Sequence, residues 1–223
     1  MVVVMLVAVS CDKSEQPAIP SIGKEYFPLR VGYFQTFDVN EIRYQLRIPE
    51  TFIYELKTQV VDSFPSEGGY TYVILRSKRN TANETWEYVD TWSARVNNRE
   101  VVVNEENISF LKIKLPVSVG VTWNGNLYND DEVQEYLLSD THIPFTAGGQ
   151  NFSDCIVVTQ ADSNDFIVFL DERQEIYAKG IGLVYKESTQ LKFCTSTAEG
   201  CLGQQIIEDG VVYKQTITSY GVE

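Results

Sequence analysis

The sequence predicts an all-β domain, an antiparallel and strongly curved sheet closing into a half-barrel or barrel-like wrap with at most one or two short helices. Short apolar runs with period-two alternation recur about every ten residues, which suits strands with one face wet and one dry. Clusters of Gly, Pro, Asn, Asp and Ser separate those runs, as expected of tight antiparallel connections. Sustained helical periodicity is missing, and only Asn129–Leu138 offers an N-cap and an acidic first turn, as either a lone helix or a loop feeding a strand.

The folded part is expected from Glu25 onward, through Pro28-Leu29-Arg30-Val31-Gly32. From Thr51, Tyr54, Leu56 and Val60 alternate with Glu55, Lys57 and Gln59, and the strand is expected to stop at Asp62–Gly69. Further strands follow at Tyr70–Arg76, Thr85–Val96 and Glu100–Asn104. Pro116-Val117-Ser118-Val119-Gly120 echoes Pro28–Gly32, and Pro and Gly at these spacings re-aim a chain into a new strand. The centre of the pattern is Asn151–Glu187. There a strand at Asp154–Val158, a turn at Ala161–Asp165, a strand at Phe166–Leu170 and a third entered through Gly180 and Gly182 form a hairpin and its continuation. Near the C-terminus, Asp209-Gly210 between β-rich flanks is a strong hairpin signal, since type I′ turns need positive φ at both centres.

Composition narrows the function classes. Against 18 basic residues stand 31 acidic ones, a net charge of −13, which repels nucleic acid. Residues 1–11 are apolar up to a single Cys and too short to span a bilayer. Ala8-Val9-Ser10-Cys11 resembles a bacterial lipobox, with Cys11 as the acylated, palmitate-bearing residue. No Lys or Arg precedes the apolar run, so this signal segment reads as truncated. Residues 12–24 are polar and broken by Pro17 and Pro20, a tether. Residues 25–223 read as one β domain.

Chemistry-bearing residues are few. Cys194 and Cys201 lie in a polar loop of a chain read as exported, which favours a disulfide. Cys155 sits within an apolar strand as a packing residue. The one histidine, His142, excludes a multi-histidine metal centre and reads as a surface or hydrogen-bonded loop residue. Asp130, Asp131 and Glu132, and likewise Asp162 and Asp165, match no Ca²⁺-loop spacing and read as solvated turns. No phosphate loop, Gly-x-Ser-x-Gly elbow or paired-Cys motif occurs, so neither catalytic nor metal or cofactor residues are assigned. Trp86, Tyr88 and Trp92, two and four apart on one strand, are expected to share a face and to line a cleft for a lipid or glycan.

Glu25–Gly32 after a lipobox, His142–Gly148 leading to Asn151–Val158, and Tyr177–Lys186 resemble a large group of uncharacterised bacterial outer-membrane lipoproteins. Such proteins are similar in architecture to lipoprotein-localisation-factor-like half-barrels, a curved antiparallel sheet wrapped round a helix or plug. The resemblance implies an outer-membrane lipid anchor, facing the cell surface or the periplasm, and a binding or structural role rather than an enzymatic one. The expectations are a lipid or glycan ligand in a concave sheet face, or else an envelope protein partner bound along edge strands.

Overall fold

A computed structural model describes residues 22–223. Twelve antiparallel strands form one sheet, as the alternation predicted. In chain order they are β1 (Tyr33–Gln45), β2 (Ile48–Ser66), β3 (Gly69–Arg79), β4 (Glu87–Val96), β5 (Glu100–Glu105), β6 (Ile108–Lys114), β7 (Thr122–Asn124), β8 (Glu135–Ala147), β9 (Gln150–Asn164), β10 (Phe169–Ala178), β11 (Gly182–Phe193) and β12 (Ile207–Val222). Each strand pairs with its sequence neighbour, and β1 pairs with β12 over Tyr33↔Val222 to Tyr44↔Gly210. The sheet therefore closes into a nearly complete barrel whose two edge strands are β6 and β7.

Those two edges meet each other and are largely capped by chain that follows β6. The Leu111 N–H donates to the Gly125 carbonyl (2.8 Å), the Trp123 indole donates to the Leu111 carbonyl (2.8 Å), and the Asn129 amide donates to the Ser109 carbonyl (2.9 Å). An open edge would invite pairing with another chain; these bonds satisfy three backbone groups at the middle of β6 from within.

The two Pro–Gly echoes do the same job. Gly32 and Gly120 both adopt left-handed φ (86° and 84°), and their N–H groups donate to strand carbonyls, Val60 (2.8 Å) and Leu138 (2.9 Å). Gly32 immediately precedes β1 and Gly120 shortly precedes β7, so each echo opens a run of six strands.

Ahead of β1, residues 22–32 form a strap across one end of the barrel, with a single 3₁₀ turn at Lys24–Tyr26. The Ile22 carbonyl accepts from Val117 N–H, and the Glu25 carbonyl accepts from Gly180 N–H (2.7 Å). Tyr26 is buried in the first of two apolar clusters, with Leu111, Ile113, Trp123, Leu138, Ile156, Val158 and Tyr177. The second holds Phe37, Val39, Phe152, Cys155, Val157, Ile176, Val184 and Ile217. Alternate residues of β9 and β10 thus enter opposite clusters, so both faces of this part of the sheet are covered. Covering follows from bulges in β8: three register shifts against β9, between Leu138 and Phe145, bend the β8–β9 hairpin. Its tip then reaches β12, where the Gln150 amide donates to the Thr218 carbonyl (2.9 Å), and Phe145 packs on Tyr185 of β11 (5.6 Å between centroids).

Several sequence expectations are corrected. Of the two readings of Asn129–Leu138 the helix fails and the loop feeding a strand holds: residues 129–134 lead into β8, which starts at Glu135. Asp209-Gly210 is no turn. Gly210 lies inside β12, opposite Tyr44 and Leu191, and a Cβ there would stand 2.2 Å from the Gln190 carbonyl, so this glycine serves close strand approach. The reversal before β12 is instead the loop that carries the Cys194–Cys201 disulfide. The central turn falls later than Ala161–Asp165, since β9 continues to Asn164 and Phe166–Val168 are exposed at the tip. Asp165 decides this: its carboxylate accepts from the N–H groups of Ile167, Val168 and Phe169 (2.7–3.0 Å), and the turn forms where those donors are satisfied.

Candidate ligand-binding site

Inside the barrel, strands β1–β6 and β10–β12 together with the strap enclose a cavity of about 100 Å³. One wall is a buried ion network. Lys112 of β6 places its Nζ 2.8 Å from Glu175 Oε1 and 2.9 Å from Glu105 Oε1. Lys186 Nζ lies 3.3 Å from the same Glu175 oxygen, and the Tyr177 hydroxyl donates to Glu175 Oε2 (2.5 Å). Glu175 is 1% exposed and Lys112 6%. Burial alone would raise the Glu175 carboxyl, but Lys112 and Lys186 outweigh it and hold the group at about 2. For Lys112 burial works downward, and Glu105 and Glu175 reverse it, keeping the ammonium charged.

Sequence reasoning missed this network for a local reason. Val101 pairs with Ile113 and Val102 with Leu111, so Lys112 is the extra residue of a β-bulge. In the run Phe110-Leu111-Lys112-Ile113 strict alternation cannot say which way the lysine points. A lone charge inside an otherwise apolar strand was the one available signal.

The other wall is aromatic. Phe27 of the strap packs on Tyr177 (6.0 Å between centroids), and the Arg76 guanidinium of β3 lies 3.8 Å from the Trp92 ring centre. Arg76 also pairs with Asp90 (2.8 Å), which accepts the Trp92 indole N–H (3.1 Å).

Trp86, Tyr88 and Trp92 do not share a face as expected. Arg76 pairs with Asp90 but Ser77 with Tyr88, so a bulge at Val89 shifts the alternation. Trp92 lines the cavity. Tyr88 turns to the other face at 65% exposure, and Trp86 precedes β4 with Arg79 over its ring at 4.3 Å.

The strap is pinned by a second cluster. The Tyr26 hydroxyl donates to Asp154 Oδ1 (2.6 Å), His142 Nδ1 lies 2.9 Å from the same oxygen, and Lys179 bridges Asp154 (3.3 Å) and Glu25 (3.5 Å). Burial raises the Asp154 carboxyl, but its bonds to Tyr26, His142 and Lys179 bring it below its ordinary value. His142 is hydrogen-bonded as expected, although it sits in a bulge of β8 at φ 55° rather than in a loop.

Asp130, Asp131 and Glu132 lie in the β7–β8 connection and Asp162 near the β9–β10 tip. Cys194 and Cys201 are bonded, and Arg47 donates to Cys194 Sγ (3.0 Å). Cys11 lies outside the described residues. Cys155 is buried and free, its thiol pushed up to about 11 first by burial and then by Asp154. At pH 8 Cys155 of the native protein is therefore expected to resist alkylation and to be labelled only after denaturation; rapid native labelling of Cys155 would contradict its packing role.

Comparison with protein-family models and with curated proteins finds no match. Among solved structures, the chain is similar to a candidate exported protein with a YmcC-like fold from Bacteroides fragilis, at 12% identity over 87% of this chain and 98% of that one, with a TM-score of 0.48. It is also similar to a candidate lipoprotein from Parabacteroides distasonis, at 13% identity over 88% of this chain and 98% of that one, with a TM-score of 0.49.

Proposed function

We propose that this chain is a lipid-anchored protein of the bacterial outer membrane that binds a small ligand inside its barrel. One observation carries the reading: the interior cavity brings a buried ion network and an aromatic wall to the same space. Ligand sites combine apolar walls with a few convergent polar groups, and this cavity does so. Its size limits what enters, because about 100 Å³ is less than the ~150 Å³ that takes up a benzene. A terminal group therefore fits, and a whole acyl chain or oligosaccharide does not. We read the site as one of binding rather than catalysis, because its charged side chains are already engaged, Lys112 and Lys186 with Glu105 and Glu175, and Arg76 with Asp90. The lipid anchor rests on Cys11 and the tether that follows it.

Native mass spectrometry of the purified full chain, followed by solvent extraction, tests the reading. A reproducible extra mass is expected, lost in Trp92→Ala while the unfolding temperature changes little. A clean apo mass, or a Trp92→Ala variant that merely melts earlier and keeps its ligand, would sink it.

A second reading, an assembly subunit that pairs through its edge strands, meets the capped β6–β7 seam. A partner strand there must first displace the Gly125, Trp123 and Asn129 bonds.

A further inference from the structure

Charges around the cavity are already matched. Lys112 and Lys186 meet Glu105 and Glu175, and Arg76 meets Asp90, so three cations face three carboxylates. A carboxylate, phosphate or ammonium entering this wall would add an unmatched charge beside groups as buried as Glu175 and Lys112, which is costly in a poorly solvated site. An apolar group avoids that cost but leaves polar atoms unanswered. Arg76 Nε is buried and has no hydrogen-bond partner among the described residues. Gln215, 5% exposed, uses its Oε1 to accept the Tyr213 hydroxyl, which leaves its amide N–H groups to the cavity it lines. Gln35, on the same lining, gives an amide N–H to the Leu183 carbonyl and keeps its Oε1 as an acceptor.

Donors and acceptors left together on an uncharged balance suit a hydroxyl, which both gives and receives a hydrogen bond. Resting on the binding role proposed above, we infer that the cavity takes a neutral hydroxyl-bearing group, the end of a polyol or of a sugar, held against the aromatic wall. By scaling from benzene in ~150 Å³, about four heavy atoms fit. Free polyol and glycan terminus share this chemistry.

The test uses the full chain and the indole N–H resonance of Trp92, identified by its disappearance in Trp92→Phe. Erythritol, butyrate, butylammonium and n-butane are titrated as probes, each of which can present an end of about four heavy atoms to the cavity. Erythritol is expected to shift the signal saturably and the two ions to leave it unmoved. Gln215→Met keeps the volume and removes the amide, and should weaken erythritol binding at least fivefold. An oligosaccharide that binds tenfold more tightly than erythritol identifies a glycan end, and equal affinity identifies a free polyol. If n-butane or butyrate shifts the signal and erythritol does not, the hydroxyl inference is overturned while the binding role stands. If Gln215→Met binds erythritol unchanged, recognition by this wall is overturned. If no probe moves the resonance, the inference and the binding role fall together.

Discussion

Replacing Lys112 by Met is expected to cost the barrel about 3–5 kcal/mol, the usual penalty for stranding a buried charge by removing its partner. Glu175, at 1% exposure, would keep only Lys186 as a counter-charge, and Glu105 would lose its ion pair. The double variant Lys112→Met/Glu175→Leu should recover part of that loss, since it removes the most deeply buried stranded charge while leaving the less buried Glu105 and Lys186 unpaired. The pH dependence carries a sign that separates this cause from simple misfit. In the native protein the Glu175 carboxyl is held below its ordinary value of 4.5, at about 2, so its contribution is complete above about 4.5 and is lost as pH falls toward 2. In Lys112→Met the same carboxyl is left mainly with the effect of burial, which raises it. Protonation then relieves the variant, and its deficit should narrow on moving from pH 7 to pH 4. Urea unfolding at the two pH values decides: an equal deficit at both means that packing, not charge, is what Lys112 supplies.

Gly148→Ala should be nearly as damaging, at about 3 kcal/mol, combining a left-handed residue that disfavours a Cβ with an overpacked contact. Gly148 has φ 55°, and its added Cβ would stand 1.9 Å from the Ile217 carbonyl oxygen, so the β8–β9 tip must lift off β12. Gly149 is the built-in control. It has φ 73° and nothing within 4 Å of the added atom, so Gly149→Ala should cost only about 1 kcal/mol. Chemical denaturation of the two variants would show whether contact of the hairpin tip with the sheet stabilises the barrel. Equal losses would mean that it does not.

Alternation placed the strands well because most faces here are unambiguous: Leu56 and Val60 face inward as read, and the Pro–Gly echoes re-aim the chain as read. What escaped the sequence lies at bulges and close approaches. Val89 moves Tyr88 away from Trp92, Lys112 turns inward, and Gly210 serves a neighbouring strand rather than a turn. Each depends on which residue stands opposite on a partner strand, and a single strand's period carries no record of that. The cavity was legible only through Trp92. Glu175, Lys186 and Arg76 lie on three different strands, far apart in sequence, and nothing local marks them as neighbours.

Pairing of β1 with β12 sets an order on how the molecule can be completed. Eleven pairings join sequence neighbours or the two chain-terminal strands, and the terminal one waits for the last residues of the chain. Until Ile207–Val222 has emerged, β1 and β11 each show a bare row of backbone groups, and a chain cut short between β11 and β12 keeps both exposed. Closure of so distant a pair is slow compared with hairpin formation. Loss of β12 is thus a far graver lesion than loss of an equal length from a loop, because it opens the sheet at two strands at once.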